Sequence, residues 1–295
     1  MDWWQAVILG LVEGITEYLP ISSTGHLIMT SALLGLDEEE FKQAVDAFNI
    51  IIQGGAILAV AGLYWKRILQ MINGLLGRDR NGLRLAIHII IAFMPAAILG
   101  VLFNDFIERN LFHTGPVLVA LFLGGVWMIL IDRWRLKKIK ETGDDPDAKA
   151  AFGRTIDELT WSRALAIGLF QVVAMWPGTS RSMMTIAGGT FLGLKPKEAA
   201  EFSFLLGLPT LGGACVYKLL DNVLEARETG GPNLFEQLGI MPVLIGIAVA
   251  TISAAFAVKW LVAFLTKHGL RAFGWYRIVL CVVLGILIAT GLVTI

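Results

Sequence analysis

The sequence predicts an all-α polytopic membrane protein with six transmembrane helices plus two re-entrant helical hairpins, arranged as an inverted-topology repeat. Three observations lead there. Of the 295 residues, 56% are hydrophobic and 16% charged, with a mean hydropathy of +0.70; a soluble domain sits at roughly 45–50% apolar and about 25% charged. Six apolar runs, 47–65, 85–103, 115–131, 202–220, 238–258 and 276–294, are long enough to cross a bilayer. Two more apolar regions, 3–35 and 162–194, are interrupted by polar residues.

This composition excludes an ordinary soluble enzyme, a disordered chain and a fibrous repeat. A net charge of +0 leaves no nucleic-acid footprint. The nine Trp suit membrane interfaces. Cys215 and Cys281 stand alone in apolar stretches and read as packing residues. Met1-Asp2-Trp3-Trp4 lacks the basic start of a signal peptide, so the first apolar segment reads as part of the mature fold.

Region 3–35 comes first and breaks at Pro20-Ile21-Ser22-Ser23-Thr24-Gly25. Each side of the break holds about 10–16 residues where a crossing needs about 20, so the pair reads as a hairpin that returns to its side of entry. Three spans follow. Segment 134–160, charged and containing Gly143-Asp144-Asp145-Pro146-Asp147, is the only sizeable soluble stretch and reads as a cytoplasmic linker. Region 162–194 repeats the first design, with its break at Pro177-Gly178-Thr179-Ser180-Arg181-Ser182, and three more spans complete the chain. The units are therefore 1–133, a first repeat; 134–160, the linker; and 161–295, a second repeat.

Lys and Arg near span ends orient the chain. Linker 66–84 (Lys66, Arg67, Arg78, Arg80, Arg84), the stretch Arg133–Lys140 and linker 259–277 (Lys259, Lys267, Arg271, Arg277) read as cytoplasmic. Linkers 36–45 (Asp37, Glu38, Glu39, Glu40) and 221–237 (Asp221, Glu225, Glu228, Glu236) are acid-rich and read as outside. Three spans per half is an odd number, so the halves are inverted and the two breaks face each other near the bilayer midplane. Leu9-Gly10-Leu11-Val12-Glu13 echoes Ile167-Gly168-Leu169-Phe170-Gln171, and Ala47-Phe48-Asn49-Ile50 echoes Glu201-Phe202-Ser203-Phe204.

The breaks carry the chemistry. Glu13 and Glu17 are four apart and share a helix face. Pro20 ends that helix. Ser22, Ser23 and Thr24 offer N-caps for the next one, with Gly25 and His26 in its first turn. Carboxylates in the membrane interior cost about 2.5–3.5 kcal/mol on insertion scales, so the pair needs a purpose. At the second break Gly178, Thr179, Ser180, Ser182 and Thr185 surround Arg181. A helix N-terminus attracts anions, and an Arg fork matches phosphate oxygens. Arg181 alternatively pairs with Glu13 or Glu17 to hold the hairpins together. The sum is a phosphate site with acid–base and nucleophilic groups beside it. Glu13 and Glu17 are also the candidate ligands of a divalent cation, Mg2+ or Ca2+. Asn49 and Gln53 share a helix face, either lining the site or bonding between helices. His88, His113 and His268 lack metal-ligand spacing, and Glu201 reads as interfacial.

The run Glu13-Gly14-Ile15-Thr16-Glu17-Tyr18-Leu19-Pro20-Ile21-Ser22-Ser23-Thr24-Gly25-His26-Leu27 closely resembles the first signature of the bacterial undecaprenyl-diphosphate phosphatase family, linked to bacitracin resistance. Pro177-Gly178-Thr179-Ser180-Arg181-Ser182 resembles its second, and the resemblance covers essentially the whole chain. Met183 departs from the Gly usual there. The resemblance implies hydrolysis of undecaprenyl diphosphate to the monophosphate and inorganic phosphate, at the outer face of the plasma membrane, recycling the lipid carrier of cell-wall synthesis. It implies that activity depends on Glu17, His26 and Arg181, with Glu13 and Ser23 as further motif positions, and that a divalent cation is required. The candidate partners are a polyprenyl diphosphate lipid, the surrounding membrane lipid and a second copy in a homodimer.

The expected roles are Ser23 as nucleophile, His26 as its acid or base, Glu17 as orienter of His26 or cation ligand, Glu13 in support, and Arg181 on the phosphates. Ser22, Thr24, Gly25, Gly178, Thr179, Ser180, Ser182 and Thr185 are the expected substrate-binding positions. The rival assignments are a phosphohistidine at His26 or direct attack by water. The rival function is a transporter that flips polyprenyl phosphate through the same pocket.

Overall fold

The computed structural model describes residues 1–36, 39–111, 113–142, 153–229 and 238–291. Eleven α-helices are present among them: α1 (Trp3–Thr16), α2 (Ser23–Leu33), α3 (Glu39–Leu63), α4 (Trp65–Leu75), α5 (Arg80–Leu111), α6 (Thr114–Thr142), α7 (Trp161–Val173), α8 (Arg181–Phe191), α9 (Pro196–Thr229), α10 (Ile240–His268) and α11 (Arg271–Ala289). A 3-10 turn at Ile156–Glu158 precedes α7. The acidic linker positions Asp37, Glu38 and Glu236 and the turn Gly143–Asp147 lie outside the described residues.

Among the described residues six helices are long and apolar enough to cross a membrane: α3, α5, α6, α9, α10 and α11. They match the six apolar runs with their ends shifted: α5, α6 and α9 run past theirs, while α3 and α11 stop short at their C-terminal ends. α6 continues to Thr142 because Arg, Lys and Leu there keep a high helix propensity. Helices α1, α2, α7 and α8 have 14, 11, 13 and 11 residues. At 1.5 Å per residue that is about 16–21 Å, short of the ~30 Å hydrocarbon layer.

Two of the short helices, α1 and α7, pack on long helices of the opposite half of the chain. α1 lies parallel to α10: a Cβ on Gly10 would sit 2.8 Å from the Gly246 carbonyl oxygen, and Gly14 abuts Ser253, Ala250 and Ala254. α7 lies parallel to α5, with Gly168 against Ala92 and Met175 reaching Gly100. The glycines permit backbone-to-backbone approach, the usual device for helix contact in lipid. α6 and α11 run antiparallel, where the Cys281 thiol donates to the Leu118 carbonyl at 3.3 Å. Across α3 and α9 the Cys215 thiol donates to the Ile50 carbonyl at 3.0 Å. Both cysteines are free, as their apolar settings predict.

Two features of the linkers differ from expectation. Linker 66–84 begins within α4, whose Trp65, Leu69 and Ile72, continued by its C-cap Leu76, form an exposed apolar stripe at helical spacing. That is the pattern of a helix lying in the membrane interface. Arg67 on α4 donates to Glu201 on α9 at 2.8 Å and to Asp157 of the 3-10 turn at 3.3 Å, so Glu201 anchors the linker. Glu198 accepts the Ile156 N–H at 3.0 Å beside them. The second difference is Arg277, counted above as a basic linker charge. It lies on α11, fully buried, because its guanidinium bonds backbone carbonyls inside the protein.

Candidate functional site

Both breaks end in the same local structure. Ser22 (φ 72°) and Ser180 (φ 75°) are the only non-glycine residues in the left-handed region among the described residues. Ser22 Oγ accepts the Gly25 N–H at 3.5 Å and caps α2; Ser180 Oγ accepts the Met183 N–H at 3.3 Å and caps α8. A side chain held at positive φ costs about 1–3 kcal/mol and persists where the surroundings demand it. Here the sharp turn starts a new helix at once, so each break finishes in a helix N-terminus with free N–H donors. The breaks also touch: Ser182 Oγ donates to the Leu19 carbonyl at 2.9 Å.

Glu17, the C-cap of α1, is the hub. Its Oε2 accepts from Ser23 Oγ at 2.9 Å and from Gln53 Nε2 at 3.3 Å. Its Oε1 accepts from Arg181 Nη2 at 3.3 Å, an ion pair between the two breaks with side chains 9% and 5% exposed. Arg181 Nη1 donates to the Ser203 carbonyl at 3.0 Å, and the guanidinium lies 5.6 Å from the centre of the Tyr18 ring. Its Nε has no partner among the described residues. Gly207 leaves room for it: a Cβ there would meet Nη1 at 3.0 Å. Thr185 Oγ1 donates to the Arg181 carbonyl at 2.8 Å and shares a 2.6 Å bond with Ser203 Oγ. Ser180 and Ser182 hydroxyls are 3.0 Å apart. Thr179 and Gly25 are buried, and Thr24 is half-buried in the first turn of α2.

The structure therefore gathers Glu17, Ser23, Gln53 and Arg181 around one point. It turns His26 elsewhere: Nδ1 lies 2.7 Å from the Ser22 carbonyl and Nε2 lies 2.7 Å from the Tyr276 hydroxyl. Arg277, next in sequence, donates through Nη2 to the Gly178 carbonyl at 2.8 Å and to the Ala120 carbonyl at 3.1 Å. Sequence reasoning missed Tyr276, Arg277 and Ser203. A cation inside the otherwise apolar run Trp275–Leu280 was the available signal for Arg277.

Among the described residues no three His, Cys, Asp or Glu side chains form a metal-binding group. The pair proposed from sequence has the right donor chemistry for a hard divalent cation. Among the described residues, both oxygens of buried Glu13, and Asn49 Oδ1, have no hydrogen-bond partner, and oxygen-only donors suit Mg2+ or Ca2+.

An open apolar groove of about 730 Å³ runs between α1 and α10, lined by Leu11, Ile15, Leu19, Ile252, Phe256 and Trp260 among others. Leu11, Ile15 and Leu19 are two residues out of step with Glu13 and Glu17, so groove and carboxylates occupy opposite faces of α1.

The family model described as Bacitracin resistance protein BacA matches residues 6–283. The chain belongs to that family. It is similar to a protein named undecaprenyl-diphosphatase from Deinococcus radiodurans, 44% identical over 292 residues, covering 99% of this chain and 97% of that one. A protein of the same name from Sorangium cellulosum is 42% identical over 280 residues, 95% of this chain and 84% of the relative. A third, from Bdellovibrio bacteriovorus, is 41% identical over 291 residues, 99% and 98% of the two chains. The matches span both breaks, so the resemblance read from the two motifs extends along nearly the whole chain.

Proposed function

We propose that this protein hydrolyses undecaprenyl diphosphate to undecaprenyl phosphate and inorganic phosphate, recycling the lipid carrier of peptidoglycan synthesis and conferring bacitracin resistance. The observation that carries this reading is the Ser23–Glu17–Arg181 chain of contacts across the two breaks. A carrier that only flips lipid has no use for a serine hydroxyl bonded to a carboxylate.

In this reading the terminal phosphate enters between the breaks. Arg181, with its unpartnered Nε and the α2 and α8 N-termini, binds its oxygens and neutralises charge as it develops. Ser23 Oγ attacks the terminal phosphorus while Glu17 takes its proton. The bond to the lipid phosphate breaks, undecaprenyl phosphate leaves, and water then hydrolyses the phosphoserine. Glu17 replaces His26 as the base because Glu17 is the group in contact with the hydroxyl, and His26 instead holds the carbonyl of Ser22, the residue before Ser23, and so fixes where the nucleophile sits. Gln53 and the ion pair hold Glu17 in place. Glu13 and Glu17 would hold the divalent cation, which would supply charge neutralisation for the diphosphate.

The short lengths of α1, α2, α7 and α8 and the exchange of packing partners support the re-entrant hairpins and the inverted repeat. On the charge reading the protein lies in the bacterial plasma membrane with its site open to the outer face.

The test is phosphate release from undecaprenyl diphosphate by purified protein in detergent, with Ser23→Ala, His26→Ala and Arg181→Ala, with and without a chelator. Release by wild type and its loss in Ser23→Ala and Arg181→Ala support the reading. No release from folded wild type with cation present overturns it. A labelled phosphoenzyme stable to acid but not base supports Ser23; an acid-labile one moves the nucleophile to His26.

A further inference from the structure

The partners of His26 fix which ring nitrogen carries the proton. Nδ1 lies 2.7 Å from the Ser22 carbonyl oxygen. A carbonyl only accepts, so Nδ1 is the donor. In the neutral ring Nε2 is then an acceptor, and the group facing it at 2.7 Å is the Tyr276 hydroxyl, which donates. The two rings are parallel to within 2° with centres 5.7 Å apart, so more than one atom pair sets the arrangement. His26 is 7% exposed and Tyr276 is 46% exposed, so the tyrosine stands between the buried imidazole and the outside of the protein.

We propose that Tyr276 is a positioning residue for His26: its hydroxyl holds the imidazole in the Nδ1–H form, aims Nε2, and connects that nitrogen to the protein exterior. The anchor on the other side is Ser22, the strained cap of α2, so the ring is gripped from the break and from α11 together. Arg277, the next residue on α11, grips the second break through the Gly178 carbonyl. One turn of α11 thus sets the histidine of the first break and the backbone of the second. Tyr276 makes no hydrogen bond to Ser23 or Glu17, so its removal leaves their 2.9 Å contact in place.

The assay uses the phosphatase reading, and a second measurement is independent of it. Wild type, Tyr276→Phe, His26→Ala and the double variant are compared for phosphate release from undecaprenyl diphosphate in detergent. The same proteins, 15N-labelled at their four histidines, are compared by NMR, the His26 signals being those absent in His26→Ala. The expected wild-type spectrum shows His26 as Nδ1–H with a hydrogen-bonded Nε2. In Tyr276→Phe the Nε2 signal shifts to that of a free acceptor, and kcat falls about tenfold, the weight of one positioning hydrogen bond, with KM within about twofold. In the His26→Ala background Tyr276→Phe has no further effect. An unchanged His26 spectrum in Tyr276→Phe overturns the proposal, and so does the same loss of kcat with His26 absent. If wild type releases no phosphate the phosphatase reading fails, while the NMR comparison still decides whether Tyr276 sets the His26 tautomer.

Discussion

Replacing Gly14 by Ala tests whether the α1–α10 contact positions the hub carboxylate. The added Cβ would lie 2.9 Å from the Ala254 nitrogen and overlap the Ala250 carbonyl and the Ser253 hydroxyl. Ordinary contacts at a Cβ are 3.4–4 Å. Two of the three obstacles are backbone atoms and cannot rotate away, so α1 must move off α10 by about 1 Å. Glu17 ends the same helix less than a turn later. A shift of that size takes its 3.3 Å contacts with Arg181 and Gln53 beyond hydrogen-bonding range. Misplacement by about 1 Å costs about 100-fold in rate, and overpacking costs about 1–3 kcal/mol in stability. The assay is kcat for phosphate release together with the melting temperature in the same detergent. Gly54→Ala is the control, since a Cβ there meets nothing within 4 Å, and it keeps wild-type kcat. A folded Gly14→Ala with kcat within threefold of wild type would refute the coupling of this contact to Glu17.

Three further outcomes follow from the geometry. Glu17→Gln loses the base and the ion pair together, so kcat falls by about 100-fold or more; retention of wild-type kcat in that variant excludes Glu17 as the base. Gly207→Ala crowds the Arg181 guanidinium at 3.0–3.2 Å and raises KM several-fold, read from initial rates against substrate concentration; an unchanged KM places phosphate binding away from Arg181. Arg67→Ala removes a pair at 2.8 Å whose side chains are 26% and 14% exposed. After allowance for solvent screening this costs about 1 kcal/mol, lowering the melting temperature while leaving kcat unchanged.

The sequence showed the spans and both breaks because their signals are local. Apolar runs report burial in lipid directly, and Pro20 or Pro177-Gly178 interrupts a helix wherever it lands. Glu13 and Glu17 stood out because charge is costly in such a setting. The contacts that organise the site are long-range and leave no periodic trace. Nothing near His26 announces Tyr276, and nothing near Ser23 decides between Glu17 and His26 as its partner. Arg277 was misplaced because the linker was drawn to the last cation before the apolar run, whereas α11 begins six residues earlier. Helix α4 was hidden in the same way, the Leu69, Ile72 and Leu76 of its stripe being read as part of a charged connection.

The exchange of partners between halves means that covalent continuity is not what holds this protein together. α1 is bedded on α10 and α7 on α5, so a chain that ended at residue 142 would leave a face of α1 and a face of α5 bare. Two polypeptides, 1–142 and 153–295, produced in one cell would therefore carry complementary faces, and copurification of the pair tests whether those faces bring them together.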